Sequence, residues 1–129
     1  MTENLTSTPY ELIGGETQLR VLVERFYFYM DTLPEAKGIR SKHTQDLSIA
    51  KGALFKFLSG WLGGPDLFIQ EFGHPRLRRR HLKFIIEHSD KEQWMMCLTK
   101  AMAEMTVNEV LKTRLLASLD QLAMRMVNQ

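Results

Sequence analysis

The sequence predicts an all-α fold, and three observations carry that expectation. Apolar residues recur at three- and four-residue spacing through most of the chain. No stretch alternates with period two for long enough to make a strand. Helix-start and helix-stop signals fall between the apolar stretches. The chain has 129 residues, 44% of them hydrophobic, which suits one compact domain over residues 1–129 with a real core. Residues 1–8 are expected to form a flexible N-terminal extension.

The elements can be placed in order. "IGG" at 13–15 is a sharp turn into a helix whose apolar stripe is Leu19, Leu22, Val23, Phe26 and Met30. Thr32 and Glu35 have capping-box spacing around Pro34, so a short helix is expected there. Thr44 is placed to cap a longer helix carrying Leu47, Ala50, Leu54, Phe57, Leu58 and Trp61. "GGP" at 63–65 ends it, since glycine takes the left-handed cap and proline prevents continuation. The stretch 66–89 is less regular: a weak helical segment (Asp66–Phe72), the Gly73-His74-Pro75 break, and a basic loop. Ser89 and Glu92 offer a capping box for a helix with Trp94, Leu98, Ala101, Met102 and Met105 on one face. Thr106 and Glu109 offer another, for a last helix carrying Leu111, Leu115, Leu119, Leu122 and Met126. Four long helices suggest a bundle, and the long irregular segment before the third marks a functional loop.

That loop, "HPRLRRRHLKF" at 74–84, concentrates Arg76, Arg78, Arg79, Arg80 and Lys83 on a chain whose net charge is only +2. A dedicated nucleic-acid binder is usually basic throughout, so no nucleic-acid partner is expected. With one cysteine, Cys97, no intramolecular disulfide can form, which fits a reducing compartment. The N-terminus lacks a basic segment followed by an apolar run, and no apolar stretch approaches the ~20 residues of a membrane span. A soluble cytoplasmic protein without a membrane partner is therefore expected. Cys97 reads as buried rather than nucleophilic, and the eight methionines as core filler.

The histidines are His43, His74, His81 and His88, and no pair has zinc-helix spacing. His81 is followed by Leu82, Phe84, Ile85 and Ile86, an arrangement that turns it inward while the arginines face out. Phe26, Tyr27, Phe28 and Tyr29 are consecutive and cannot share one face. A buried Tyr27 needs a partner for its hydroxyl, and Trp94 offers a donor only. Taken alone, these are equally readable as core aromatics, a wet helix face and spare histidines.

In combination, several segments carry a resemblance. "YELIGG" at 10–15, "RFY" at 25–27, "FLSGWLGGP" at 57–65, "FGHPRLRRRH" at 72–81 and "QWMMCL" at 93–98 resemble the truncated haemoglobins of the second group, from about Pro9 to about Val127. The resemblance implies a shortened globin fold, a two-over-two helical sandwich around haem b (iron protoporphyrin IX). It makes His81 the proximal iron ligand and Arg80 a partner for a haem propionate, which suits the planar guanidinium fork. It makes Tyr27 and Trp94 distal donors to a polarised diatomic ligand, with His43 as a third polar contact, and Tyr27 or His43 as possible ligands of ferric iron. Ala50 stands where many globins have a distal histidine. Leu54, Phe57 and Leu58 would line the distal wall, with Leu77, Phe84 and Met102 as further haem contacts.

Two departures from the family pattern bear on these assignments. The segment Asp31–Asp46 is slightly longer than in some members, which shifts the register at His43. Ala53 stands where a cation often faces a propionate, leaving Lys51, Lys56 or the proximal loop to take that part. The implied function is binding of dioxygen, carbon monoxide, nitric oxide or similar small ligands, by a monomer or weak dimer. The alternative is an enzyme that oxidises nitric oxide or reduces peroxide, with electrons from a separate reductase.

Overall fold

The computed structural model describes residues 7–81 and 84–129, the Arg78 side chain excepted. Leu82, Lys83 and residues 1–6 of the expected extension lie outside the described residues. Among the described residues every regular element is helical.

Helix α1 spans Pro9–Ile13, with Thr8 and Glu11 forming a capping box that sequence reading did not single out. Gly14, at φ 112°, makes the turn into α2, Gly15–Thr32. A 3-10 turn at Pro34–Ala36 leads into α3, Lys37–Ser41. Helix α4 is Ser48–Trp61, α5 is Leu67–Phe72 and α6 is Leu77–His81, so part of the expected basic loop is helical. Helices α7, His88–Ala103, and α8, Glu109–Met124, complete the chain.

Helix α2 packs on α4 and on α7, and α7 packs on α8, giving two helix pairs stacked on one another. The stripe expected for α2 is the centre of the core: Leu19, Leu22, Val23, Phe26 and Met30 are all buried, with Tyr27 beside them. From the opposite pair come Cys97, Leu98, Ala101, Met102, Leu115 and Leu119. Helix α1 lies over the end of α4, where Tyr10 N–H donates to the Leu62 carbonyl at 2.9 Å. The close approach explains one glycine: a Cβ on Gly64 would sit 2.5 Å from the Tyr10 ring.

The helices are where the spacing puts them, but four caps are not. Thr32 donates its hydroxyl to the Phe28 carbonyl, 2.8 Å away, instead of capping the turn after it. Thr44 is spent on the Asp46 carbonyl, and α4 begins later, with the Asp46 carboxylate accepting from Ser48 N–H at 2.9 Å. The box proposed at Ser89 forms two residues earlier, between Glu87 and Asp90. Asn108, not Thr106, caps α8, accepting from the amides of Val110 and Leu111. At the last three a better placed oxygen, on Asp46, Glu87 or Asn108, lay two residues from the expected one, whereas the turn after Thr32 has no side-chain cap.

Candidate functional site

His81 is the last residue of α6 and is half-buried. Its Nδ1 lies 2.7 Å from the Leu77 carbonyl. A carbonyl only accepts, so Nδ1 carries a proton, and in the neutral imidazole Nε2 is the nitrogen that keeps a lone pair. The segment leading to it turns hard: Gly73 is at φ 80°, and Arg76 has φ 45°, a left-handed conformation uncommon for a residue with a Cβ. Arg80 holds that turn closed. Its Nε donates to the Pro75 carbonyl at 2.5 Å and its Nη2 to that of Phe72 at 3.4 Å, while its guanidinium lies over Phe68.

Across the cleft, Tyr27 is buried on α2 and its hydroxyl donates weakly to the Ala50 carbonyl, 3.4 Å away. Burial pushes its phenol far above the ordinary value, so it stays protonated and remains a donor. The Phe26 ring stacks edge-on between Tyr27 and Trp94, with centroids 4.8 and 5.1 Å apart, and so sets the spacing of the two. The Trp94 indole N–H has no acceptor among the described residues, yet it is not sealed in the core. His43 stands edge-on to Tyr27, centroids 5.9 Å apart, with Nδ1 3.0 Å from the Ile39 carbonyl. Its imidazole is held below its usual pKa chiefly by burial, with Arg40 and His81 adding repulsion. Like His81, it presents an unprotonated Nε2.

Between these walls the apolar surface is unfinished. Leu54, Phe57, Trp61, Leu77, Leu122 and Met126 are only half-buried, although each is apolar and central to the fold. A cavity of about 570 Å³ opens beside them, lined by Phe57, Trp61, Leu77, Leu122 and Met126, with His74, Arg76, Arg79 and Arg125 at its polar side. Of the other predicted contacts, Leu58 and Met102 are buried in the protein core, and Phe84 is exposed. Lys51 and Lys56 pair with Glu24 and Glu71 instead of facing the cavity. Trp61, Leu122 and Met126 were readable as helix stripes but not as lining, because period alone does not separate core from cleft. Arg79 was equally hidden, one of four arginines in five positions.

Chemically, this arrangement can hold a flat apolar group with an anionic edge. His81, Tyr27, Trp94 and His43 are not among the residues lining the cavity; His81 lies one turn beyond the lining Leu77 and close enough to His43 to act on it electrostatically, and His43 in turn stands against Tyr27. Among the described residues no three His, Cys, Asp or Glu side chains converge on a bare metal ion. Cys97 is a poor nucleophile, its thiol pushed up to about 11 by burial. No helix of the described residues is long and apolar enough to cross a membrane.

The bacterial-like globin family matches residues 8–128. The group 2 truncated haemoglobin YjbI of Bacillus subtilis is 37% identical over 123 residues, covering 95% of this chain and 90% of that protein. The cold-adapted truncated haemoglobin of the Antarctic bacterium Pseudoalteromonas haloplanktis superposes with a TM-score of 0.93 at 43% identity, over 95% of this chain and 99% of its own. The group II 2-on-2 haemoglobin of Agrobacterium tumefaciens also gives 0.93, at 41% identity, over 95% of both chains. Sequence, fold and the disposition of the cleft thus agree that this chain belongs to the bacterial-like globins, among the group II truncated haemoglobins.

Proposed function

We propose that this protein binds haem b in the cleft between α4 and α6 and uses it to hold dioxygen and related diatomic ligands. The observation that carries the reading is the 2.7 Å contact of His81 Nδ1 with the Leu77 carbonyl. Its Nδ1 proton is committed to the Leu77 carbonyl, so Nε2 is aimed as a ready ligand with a fixed ring orientation. A single imidazole does not retain a bare metal ion, but it suffices for a metal already held by a macrocycle.

Haem supplies an iron that binds dioxygen, carbon monoxide or nitric oxide. The chain supplies the rest. Phe57, Trp61, Leu77, Leu122 and Met126 would cover apolar faces that they now leave half open. Arg76 and Arg79, at the cavity's polar side, suit carboxylates at the haem edge. Arg80 would take a propionate only by giving up the turn carbonyls it now holds, and its larger part is to keep His81 in place. Tyr27, protonated across the physiological range, and Trp94, with its unclaimed N–H, would donate to a ligand that gains negative charge. His43 in the tautomer described accepts rather than donates, so it would orient the Tyr27 hydroxyl or offer its own lone pair.

Purified protein should show a Soret band that shifts under carbon monoxide. Tyr27→Phe and Trp94→Phe should each speed dioxygen release, by roughly tenfold per lost hydrogen bond. If neither speeds it, the distal assignment is wrong.

A further inference from the structure

The chain beyond α8 returns to the proximal side of the cleft, and one side chain there makes an unusual set of bonds. Asn128 is half-buried. Its Nδ2 donates to the Phe84 carbonyl at 2.8 Å and reaches the His81 carbonyl at 3.5 Å. Its Oδ1 accepts from Ile86 N–H at 2.9 Å. Its own backbone N–H donates to the Ile86 carbonyl at 2.9 Å. One residue therefore closes a two-way bridge onto the segment that leaves His81. The amide presents its donor and its acceptor on two separate atoms, which lets it bond backbone groups of opposite kind at the same time.

Neighbouring groups are held from the other side. Lys42 Nζ donates to the Ile85 carbonyl at 2.5 Å and lies 3.4 Å from the buried Asp90 carboxylate, which in turn accepts from Glu87 N–H. Phe84 and Ile85 are largely exposed, outside the buried core. Among the described residues, the side-chain hydrogen bonds to the backbone of 84–86 come from Asn128 and Lys42, and Asn128 makes two of the three. Met126, two residues before, lines the cavity beside Leu77, so the same tail touches both the site and its support.

We propose that Asn128 is a positioning residue for His81: by holding the His81 and Phe84 carbonyls and the Ile86 backbone it fixes the C-terminal end of α6, and with it the ring that would ligate the iron. This rests on the reading of His81 as the iron ligand. The role is distinct from general stability, because the groups bonded belong to His81, Phe84 and Ile86 and lie outside the buried core.

The test uses the haem-loaded protein with Asn128→Ala and Asn128→Asp. The aspartate keeps the acceptor for Ile86 N–H but loses both donor bonds and faces two carbonyls with negative charge. Haem transfer to an excess of apomyoglobin and the iron–histidine stretch of the ferrous protein are measured, alongside Tm. Both variants are expected to lose haem about tenfold faster, the size two net hydrogen bonds carry, with a shifted or broadened stretch. Asn128→Gln should recover part of the wild-type stretch. Haem loss within twofold of wild type and an unchanged stretch in both variants would overturn the proposal. A wild-type protein with no iron–histidine stretch would instead overturn the His81 assignment on which it rests, so the two failures are told apart.

Discussion

The two walls of the cleft are built by different physics. On the distal side, Tyr27 and Trp94 are placed by Phe26, a fully buried ring wedged between them at the centre of the α2–α7 packing. On the proximal side, His81 sits on a five-residue helix between a glycine-proline turn and an exposed segment, and hydrogen bonds from Arg80, Asn128 and Lys42 hold it. Close packing has few alternative arrangements, whereas a bonded turn can be loosened one contact at a time. On the proposed reading, Tyr27 and Trp94 as distal donors should therefore be rigid and costly to disturb, and His81 as proximal ligand tunable without unfolding the protein.

The sharpest way to break this contrast is Phe26→Ala. Removing a buried ring should destabilise the fold by about 3–5 kcal/mol and let both donors drift, so thermal stability and dioxygen retention should fall together. A stable variant with unchanged ligand release would mean that packing does not set the distal geometry. Arg80→Ala is the matching change on the other wall. It should cost about 1 kcal/mol, seen as roughly fivefold faster haem release with little change in Tm. A large fall in Tm would show that the proximal turn belongs to the core after all.

The smallest effect concerns His43. Burial holds its folded pKa below the ordinary imidazole value of about 6.5. As pH falls through that value the unfolded chain takes up the proton first, so stability declines in acid and is unaffected well above it. In His43→Phe the stability–pH curve should be flatter below about pH 6.5 than in wild type, by urea titration at several pH values. Identical slopes would mean that His43 is as readily protonated folded as unfolded.

The same contrast explains what could be read from the sequence. Helix periodicity located α2, α4, α7 and α8 because their stripes are dictated by the core, and the motifs around His81, Tyr27 and Trp94 carried the family. The caps at Asp46, Glu87 and Asn108 were missed because several neighbouring oxygens were chemically equivalent. The bonds of Arg80 to the Pro75 and Phe72 carbonyls gave no signal either, since composition does not say which backbone carbonyls a guanidinium reaches. Asn128 gave no local signal at all: its bonds cross more than 40 residues of sequence.

The central claim is that His81, with Nδ1 committed and Nε2 free, is the iron ligand. The direct measurement is the low-frequency resonance Raman spectrum of the ferrous, ligand-free protein, compared with His81→Gly before and after adding imidazole. The account predicts an iron–histidine stretch in wild type, its loss together with weakened haem retention in the variant, and its return with free imidazole. A His81→Gly protein that keeps its haem and an unchanged stretch without imidazole would contradict it.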